Sequence, residues 1–222
     1  MPLQSNRYFI HGWCITLSLC LVLPCSSDIY VTNTLYPVLQ ELIAKGAGER
    51  WAGTVWAIYA TADQSLVLGT LLPMLFRPEW GRRRPLLFAL AGLCLPGRCL
   101  QLAATSWGPS LWPCLLLGKL AAGVAFGIVL VILTAYLAEV APVQDRSVLS
   151  LLPGLCNALS GIIGASLGTE LLLGTTENCH WIYVLLFMIG LPAIPMLLFC
   201  PEPPPVCLLQ DSEEEACRSL RF

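Results

Sequence analysis

Four charged side chains lie inside long apolar stretches of this chain of 222 residues. They are the residues whose types and positions offer the most possibilities for chemistry. Two are acids, Asp28 and Asp63, and two are bases, Arg98 and Lys119. A charge held at the centre of a membrane costs about 3 kcal/mol or more, so an acid and a base at similar depth are expected to meet. Such pairs can hold helices together, and they can also exchange protons.

A second group of charges lies where apolar stretches end. Gly81, Arg82 and Arg83 follow one stretch, and Glu139 and Arg146 flank the end of another. Charges grouped where an apolar run meets water are typical of a topology signal or of a gate. Two interpretations of the loop after the second apolar stretch therefore stay open: a positively charged anchor, or part of a gating contact.

The apolar stretches set the fold class. Hydrophobic residues make up 56% of the chain and charged residues 12%, compared with roughly 25% charged residues in a soluble domain. About 20 apolar residues are needed to cross a bilayer core of about 30 Å. We therefore predict an all-α membrane protein with six transmembrane helices, at approximately residues 9–30, 54–76, 85–106, 111–137, 148–174 and 181–200.

Lysine and arginine placement predicts the orientation of these helices. Outer loops would hold Lys45 and Arg50, and the arginines of the opposite side are Arg7, Arg77, Arg82, Arg83, Arg84, Arg146, Arg218 and Arg221. Basic residues accumulate on the cytoplasmic side of membrane proteins. We expect both termini in the cytoplasm.

Several function classes lack any supporting pattern. The 11 cysteines are scattered singly, without the Cys and His spacing of a zinc site. No nucleophile–base pair or glycine-rich phosphate loop occurs, and no basic patch with interleaved aromatic residues favours nucleic acid. We expect no metal, no cofactor, no nucleic-acid partner and no enzymatic activity.

The segment Gly118–Arg146 resembles the fourth helix of the sugar porters, the facilitative glucose transporter family of the major facilitator superfamily. That helix carries Gly-Arg near its start and Tyr-x-x-Glu-x-(Ser/Ala)-Pro…Arg at its cytoplasmic end. The matching residues here are Gly118, Lys119, Tyr136, Glu139, Pro142 and Arg146. Gly81, Arg82 and Arg83 match the family's loop between helices two and three, where Pro78 replaces an Asp or Asn. Further matches after helix six are Pro201, Glu202, Pro204 and Leu208.

The resemblance implies a fold and a gate. Sugar porters have two similar six-helix halves, so residues 1–200 correspond to the N-terminal half and residues 201–222 to the cytoplasmic start of the linker. The implied cytoplasmic charge network, which breaks when the transporter opens inward, consists of Gly81, Arg82, Arg83, Glu139, Arg146 and Glu202.

The resemblance also implies where sugar would bind. The family has a sugar-binding glutamine in helix five, and its aligned position here is Gly154, which offers no side chain for hydrogen bonding. Asn157, one turn further on, is the nearest replacement, and Asn33 at the end of helix one is a second candidate. We predict a substrate contact at these two residues.

Asp28 matches a position at which proton-coupled members of the family have an aspartate that pairs with the helix-four arginine. The implied pair here is Asp28 with Lys119. Three interpretations stay open: a proton-exchanging pair, a static ion pair, and two side chains that reach the outer interface separately. Asp63 has Arg98 or Lys119 as its expected partner.

These observations leave three functions open. The first is facilitated diffusion of hexose-like sugars by alternating access, with this chain a partial and inactive or dependent form. The second is an inactive half-transporter in a bilayer that binds a second copy or a full-length porter. The third is proton-coupled sugar symport. The family resemblance implies a multi-pass protein of the plasma membrane.

Overall fold

The structure is a computed structural model that describes residues 2–76, 80–199, 202, 203 and 206, with the backbone alone for residues 2–8. Within these residues the chain is helical and contains no strand. The α-helices are α1 Pro2–Thr34, α2 Tyr36–Ala47, α3 Glu49–Thr61, α4 Ser65–Leu71, α5 Arg83–Leu87, α6 Leu95–Trp107, α7 Trp112–Val140, α8 Arg146–Ser150, α9 Leu152–Leu167, α10 Cys179–Gly190 and α11 Ala193–Phe199.

These helices combine into six segments that are long and apolar enough to cross a membrane, as predicted. In the described part of the chain they are span 1 Phe9–Thr34, span 2 Glu49–Leu75, span 3 Arg83–Trp107, span 4 Pro109–Val140, span 5 Arg146–Leu167 and span 6 Cys179–Phe199. Two of these segments differ clearly from the expected ranges. Span 2 begins at Glu49, directly after Gly48 with φ +79°, and span 5 ends at Leu167 because Leu173 N–H donates back to the Leu167 carbonyl at 3.2 Å.

The helix α2 was not expected, because its apolar residues are too few to cross a membrane. Leu39 and Ile43 are buried and four residues apart, so they share one helix face. That face packs against α3 and the turn Pro109–Leu111. The helix α2 therefore covers the end of the bundle between spans 1 and 2.

Breaks within the spans have local causes. Pro192 has no backbone N–H to continue a helix, and span 6 is interrupted there between α10 and α11. Residues 88–94 of span 3 form a π-helical turn, just before Pro96. The proline ring crowds the carbonyl four residues earlier, at Gly92, so the wider turn relieves that crowding.

Spans 1 and 4 are the central helices of the bundle. Span 1 packs against spans 4, 5 and 6, and span 4 packs against spans 1, 2 and 3. Their shared core includes Leu17, Leu21, Phe126, Val129 and Leu133, all almost fully buried. Because they lie at the centre, these two helices set the positions of the other spans.

Glycines on span 4 let two neighbouring helices approach closely, which is the use that their spacing predicts. A Cβ atom at Gly118 would lie 2.5 Å from the Gly97 carbonyl oxygen of span 3. One at Gly127 would lie 2.6 Å from the backbone of Gly69 and of Thr70 in span 2. Cβ atoms in folded proteins essentially never lie this close to other heavy atoms, so a larger residue at either position would force the neighbouring backbone to move.

We expect Gly127→Ala to lower the free energy of unfolding by about 1–3 kcal/mol, because the added methyl group meets rigid backbone of span 2. The matched control is Gly154→Ala, where nothing lies within 4 Å of the new Cβ. Alanine favours a helix over glycine by about 0.5–1 kcal/mol, so the control should be neutral or stabilising. Denaturant unfolding of the purified chain in detergent would measure both, and equal effects would contradict this packing.

Candidate functional site

The charged residues predicted for the cytoplasmic network include a two-pronged ion pair. Arg82 donates from Nη2 to Glu139 Oε1 at 2.7 Å and from Nε to Glu139 Oε2 at 3.3 Å. The guanidinium plane matches the carboxylate in this geometry, which makes the pair directional as well as charged. The hydrogen bond with Glu139 is the main reason that the pKa of Arg82 is raised, so Arg82 remains a cation.

Glu202 completes this cluster from beyond span 6. Its carboxylate accepts the backbone N–H of Arg82 at 3.0 Å. Gly81 has φ +73°, a backbone conformation that strongly favours glycine. A Cβ atom there would also lie 2.6 Å from the Glu202 carboxylate. Gly81, Arg82, Glu139 and Glu202 thus form one contact unit, the cytoplasmic cluster.

Two other predicted members lie apart from the cytoplasmic cluster. Arg83 is half-buried and Arg146 is exposed, and neither forms an ion pair with a residue that the structure describes. Arg77 and Pro78 lie outside the described residues, as does most of the predicted linker at 201–222. A contact that the sequence did not suggest joins His11 Nε2 to Asp145 Oδ2 at 3.2 Å.

A second polar site is buried between spans 1 and 3. Arg98 has no exposed side-chain surface, and its Nη1 lies 2.8 Å from Asp28 Oδ1. The same nitrogen donates to Gln101 Oε1 at 2.7 Å, and Arg98 also donates to the Pro24 carbonyl oxygen. The Gln101 amide in turn donates to both Asp28 oxygens at 3.0 and 2.9 Å. We call Asp28, Arg98 and Gln101 the buried network.

Lys119 forms a separate pair with Asp63 of span 2. Its Nζ lies 3.1 Å from Asp63 Oδ2 and 4.2 Å from the centre of the Tyr59 ring. The carboxylate oxygen is close enough for an ion pair but does not lie in a hydrogen-bonding direction from the ammonium. An aromatic ring face attracts a cation, so Tyr59 supplies part of the missing solvation.

The predicted pair of Asp28 with Lys119 is therefore wrong. Both residues sit on neighbouring central helices, but Asp28 is engaged by span 3 and Lys119 by span 2. Depth along a helix can be estimated from sequence, whereas the direction in which a side chain points depends on helix rotation. Of the two partners proposed for Asp63, Lys119 is the one in the structure.

Gln101 and Tyr59 were missed. Gln101 is three residues after Arg98, so the two share a helix face. A polar side chain on the same face as a buried charge is the sequence signal that could have identified Gln101. Tyr59 lies four residues before Asp63, so these two also share a helix face, but the sequence does not show that Lys119 lies over its ring. The described residues contain no group of three or more His, Cys, Asp or Glu that could hold a metal ion.

The two residues predicted to bind sugar are not brought together. Asn33 is exposed at the end of span 1. The next residue, Thr34, lies close to Gly168, because a Cβ atom at Gly168 would meet the threonine side chain. Asn157 lies 11 residues before Gly168 on the same chain segment, about 16 Å along a helix at 1.5 Å per residue. Its Oδ1 is buried without a hydrogen-bond partner. Gly154 faces open space.

Comparison with known proteins identifies the family. The family model described as "Sugar (and other) transporter" matches residues 13–222. This chain belongs to the sugar transporter family. Its sequence relatives include facilitated glucose transporter member 3 of solute carrier family 2 from Ovis aries, 30% identical over 69% of this chain and 31% of the relative. The Homo sapiens protein of the same name is 29% identical over 86% of this chain and 40% of the relative.

A solved structure shares the fold of this sugar transporter family member. The inward open conformation of the xylose transporter XylE from E. coli matches with a TM-score of 0.70 and 18% identity. The match covers 94% of this chain and 52% of that chain. The six spans thus have the arrangement of half of a major facilitator fold, and the chain spans 31% and 40% of the two curated relatives above.

The buried network predicts strong coupling between its charges. Asp28→Asn and Arg98→Met should each lower the free energy of unfolding by about 3–5 kcal/mol, because each leaves a buried charge without its partner. The double variant should lose less than the sum, by about 1–3 kcal/mol. Unfolding of the purified chain measures these terms. Glu41→Gln at the exposed Glu41–Lys45 pair is the control and should cost less than about 1 kcal/mol; additive losses at Asp28 and Arg98 would contradict the network.

The cytoplasmic cluster predicts that Gly81→Ala is more harmful than Gly108→Ala. Both glycines have positive φ, +73° and +121°, but only at Gly81 does an added Cβ meet another group. Backbone strain costs about 1–3 kcal/mol at either site, and Gly81→Ala adds the clash with Glu202. The variant Gly81→Ala/Glu202→Ala should recover part of the loss. Limited proteolysis of the loop before span 3 measures this, and equal cleavage of both single variants would be inconsistent with the cluster.

Proposed function

We propose that this chain forms the N-terminal, substrate-conducting half of a facilitator for hexose-like sugars in the plasma membrane, with both termini cytoplasmic. It works by alternating access when a second six-helix half is present. The observation that carries this proposal is the cytoplasmic cluster, in which Arg82 is held by the Glu139 side chain and by Glu202 through its backbone N–H. Transport needs no covalent chemistry, so no enzymatic step is proposed.

The exposure of the cytoplasmic cluster suits a contact that must open and close. Arg82 and Glu139 side chains are 35% and 24% exposed. Ion pairs with water access contribute about 1 kcal/mol or less, so breaking this one costs little. A transporter that alternates between two states needs these states to differ by only a few kcal/mol. The cytoplasmic cluster therefore acts as a reversible gate contact on the inner side.

The buried ion pair of Arg98 and Asp28 has a different part in this proposal. The Arg98 and Asp28 side chains are 0% and 4% exposed, so separating them would leave a buried charge, which costs about 3–5 kcal/mol. Spans 1 and 3 would consequently stay together around this pair. Rigid halves that rock against each other are the general pattern of alternating access.

Sugar binding by this half alone would be weak. A sugar site needs several polar groups that converge on one pocket, and here Gly154 has no side chain while Asn157 and Asn33 lie far apart. The remaining contacts would come from a C-terminal six-helix half of the kind that a full-length porter carries.

The lack of a polar side chain at Gly154 favours a second candidate function. A half with this loss in its own sugar site would bind a full-length porter and lower its activity, acting as a membrane interaction protein. Proton-coupled symport is a third candidate, supported by the acid–base pair Asp63–Lys119, which lies 3.1 Å apart inside the bundle.

Reconstitution separates these functions. The purified chain would be placed in lipid vesicles alone, with the C-terminal six-helix half of the human relative, or with that full-length relative, and uptake of labelled hexose measured. We expect no uptake by the chain alone, because one half cannot close a pocket. With the added half we expect uptake, and its rate should change in Glu139→Gln but not in Glu41→Gln. A pH gradient should leave the rate unchanged.

Other outcomes would each contradict a specific part of the proposal. No uptake with the added half would overturn the transport function, and slower uptake by the full-length relative would then support the interaction protein. Uptake that rises with an inward proton gradient would replace facilitated diffusion with symport.

A further inference from the structure

The two buried acid–base pairs of the bundle differ in how completely their polar groups are satisfied. In the buried network, both oxygens of Asp28 accept hydrogen bonds from the Gln101 amide, and one also lies 2.8 Å from Arg98. The Asp28 side chain is 4% exposed. Both oxygens of this carboxylate are therefore engaged by protein groups, and the side chain has little contact with solvent.

Asp63 has the opposite surroundings. Its side chain is 25% exposed at the bundle surface, and Lys119 is its one ion-pair partner among the described residues. Its neighbours Thr61 and Gln64 are also exposed, as are the apolar Ile58 and Val67, so the exposed surface near the carboxylate carries polar and apolar side chains. A carboxylate with an open side can exchange a proton with water that reaches it.

The backbone at Asp63 is also irregular. Residues Ala62–Gln64 form a 3₁₀ turn between α3 and α4 of span 2. A 3₁₀ stretch inside a helix often marks a functional hinge or local strain. The turn packs against span 4, so a change in the Asp63–Lys119 contact acts directly on the packing of spans 2 and 4.

Few titratable groups act on Asp63. The turn packs against span 4, which supplies Lys119, and span 1 supplies the field of Asp28. Tyr59 lies on the same span. Arg98 of span 3 is engaged with Asp28, and Tyr183 of span 6 lies near Tyr59. The charges nearest to Asp63 are therefore the anion Asp28 and the cation Lys119.

Lys119 can tolerate the loss of its counter-ion better than Arg98 can. Its ammonium is 4.2 Å from the centre of the Tyr59 ring, and a desolvated cation–π contact is worth about 2 kcal/mol. A neutral Asp63 therefore leaves Lys119 with the face of the Tyr59 ring.

We propose that Asp63 is a proton-binding site of this bundle, and that Asp28 is not. The Asp63 carboxylate takes a proton from water that reaches its exposed side and becomes a carboxylic acid, while Lys119 stays an ammonium ion held by Tyr59. Release returns the proton to water and restores the ion pair. This binding needs no transport, so it does not depend on the proposed function.

Infrared difference spectroscopy tests the proposal on the full chain in lipid nanodiscs. Spectra at acidic pH minus spectra at neutral pH show the C=O stretch of each carboxyl group that takes up a proton, and poorly hydrated acids absorb at higher wavenumber than hydrated ones. We expect such a high-wavenumber band in the unmodified chain. It should disappear in Asp63→Asn, shift in Asp63→Glu, and persist in the exposed control Glu41→Gln.

The buried network supplies the second comparison. The variant Asp28→Asn should retain the band. If this single variant does not fold, the double variant Asp28→Asn/Arg98→Met, which removes both charges, is used in its place. A band that survives in Asp63→Asn overturns the proposal. So does its absence from the unmodified chain at every pH at which the chain keeps its helical circular dichroism.

Discussion

A charge that leaves water inside a membrane needs its compensating groups within the protein, and this requirement governs how the bundle is assembled around Arg98. Arg98 has no exposed surface and is met by Asp28, Gln101 and the Pro24 carbonyl. The contacts join spans 1 and 3 side by side. Gly118 then lets span 4 close over them, because a Cβ atom there would lie 2.7 Å from Gln101 Cγ. Charge pairing and small-residue packing therefore depend on each other in this bundle.

Two parts of the bundle use the same residue types under different solvation. At one end, Arg82 and Glu139 form a two-pronged pair that water can reach, so the pair is directional yet inexpensive to break. Elsewhere in the bundle, Arg98 and Asp28 are shielded, and breaking their contact strands a charge. The difference lies in the exposure of the cation, which is 35% for Arg82 and 0% for Arg98. A bundle built this way can open on one side while it keeps its internal arrangement.

Sequence reasoning reached further for the cytoplasmic cluster than for the buried charges. Gly81, Arg82, Glu139 and Glu202 follow a local motif at helix ends, where chain connectivity restricts which groups can meet, and the structure brings these four into contact. Asp28 and Lys119 lie within long helices, where the sequence does not tell which neighbouring helix each side chain faces. A rotation of one helix by a single residue, 100°, turns a side chain towards another neighbour. The amphipathic helix α2 was not predicted for another reason. Its two buried residues give a weak sequence signal compared with the six apolar spans.

The sequence by itself determined the class of this protein, the number of spans and the family, because apolar length and local motifs are properties of the chain alone. Tertiary structure decided which acid meets which base, that Asn33 and Asn157 lie at different levels, and that Asp63 has an open side while Asp28 has none. The physical reason is that these properties depend on helix rotation and on the close approach of spans 2, 3 and 4. Both are set by many weak packing contacts distributed over the whole bundle.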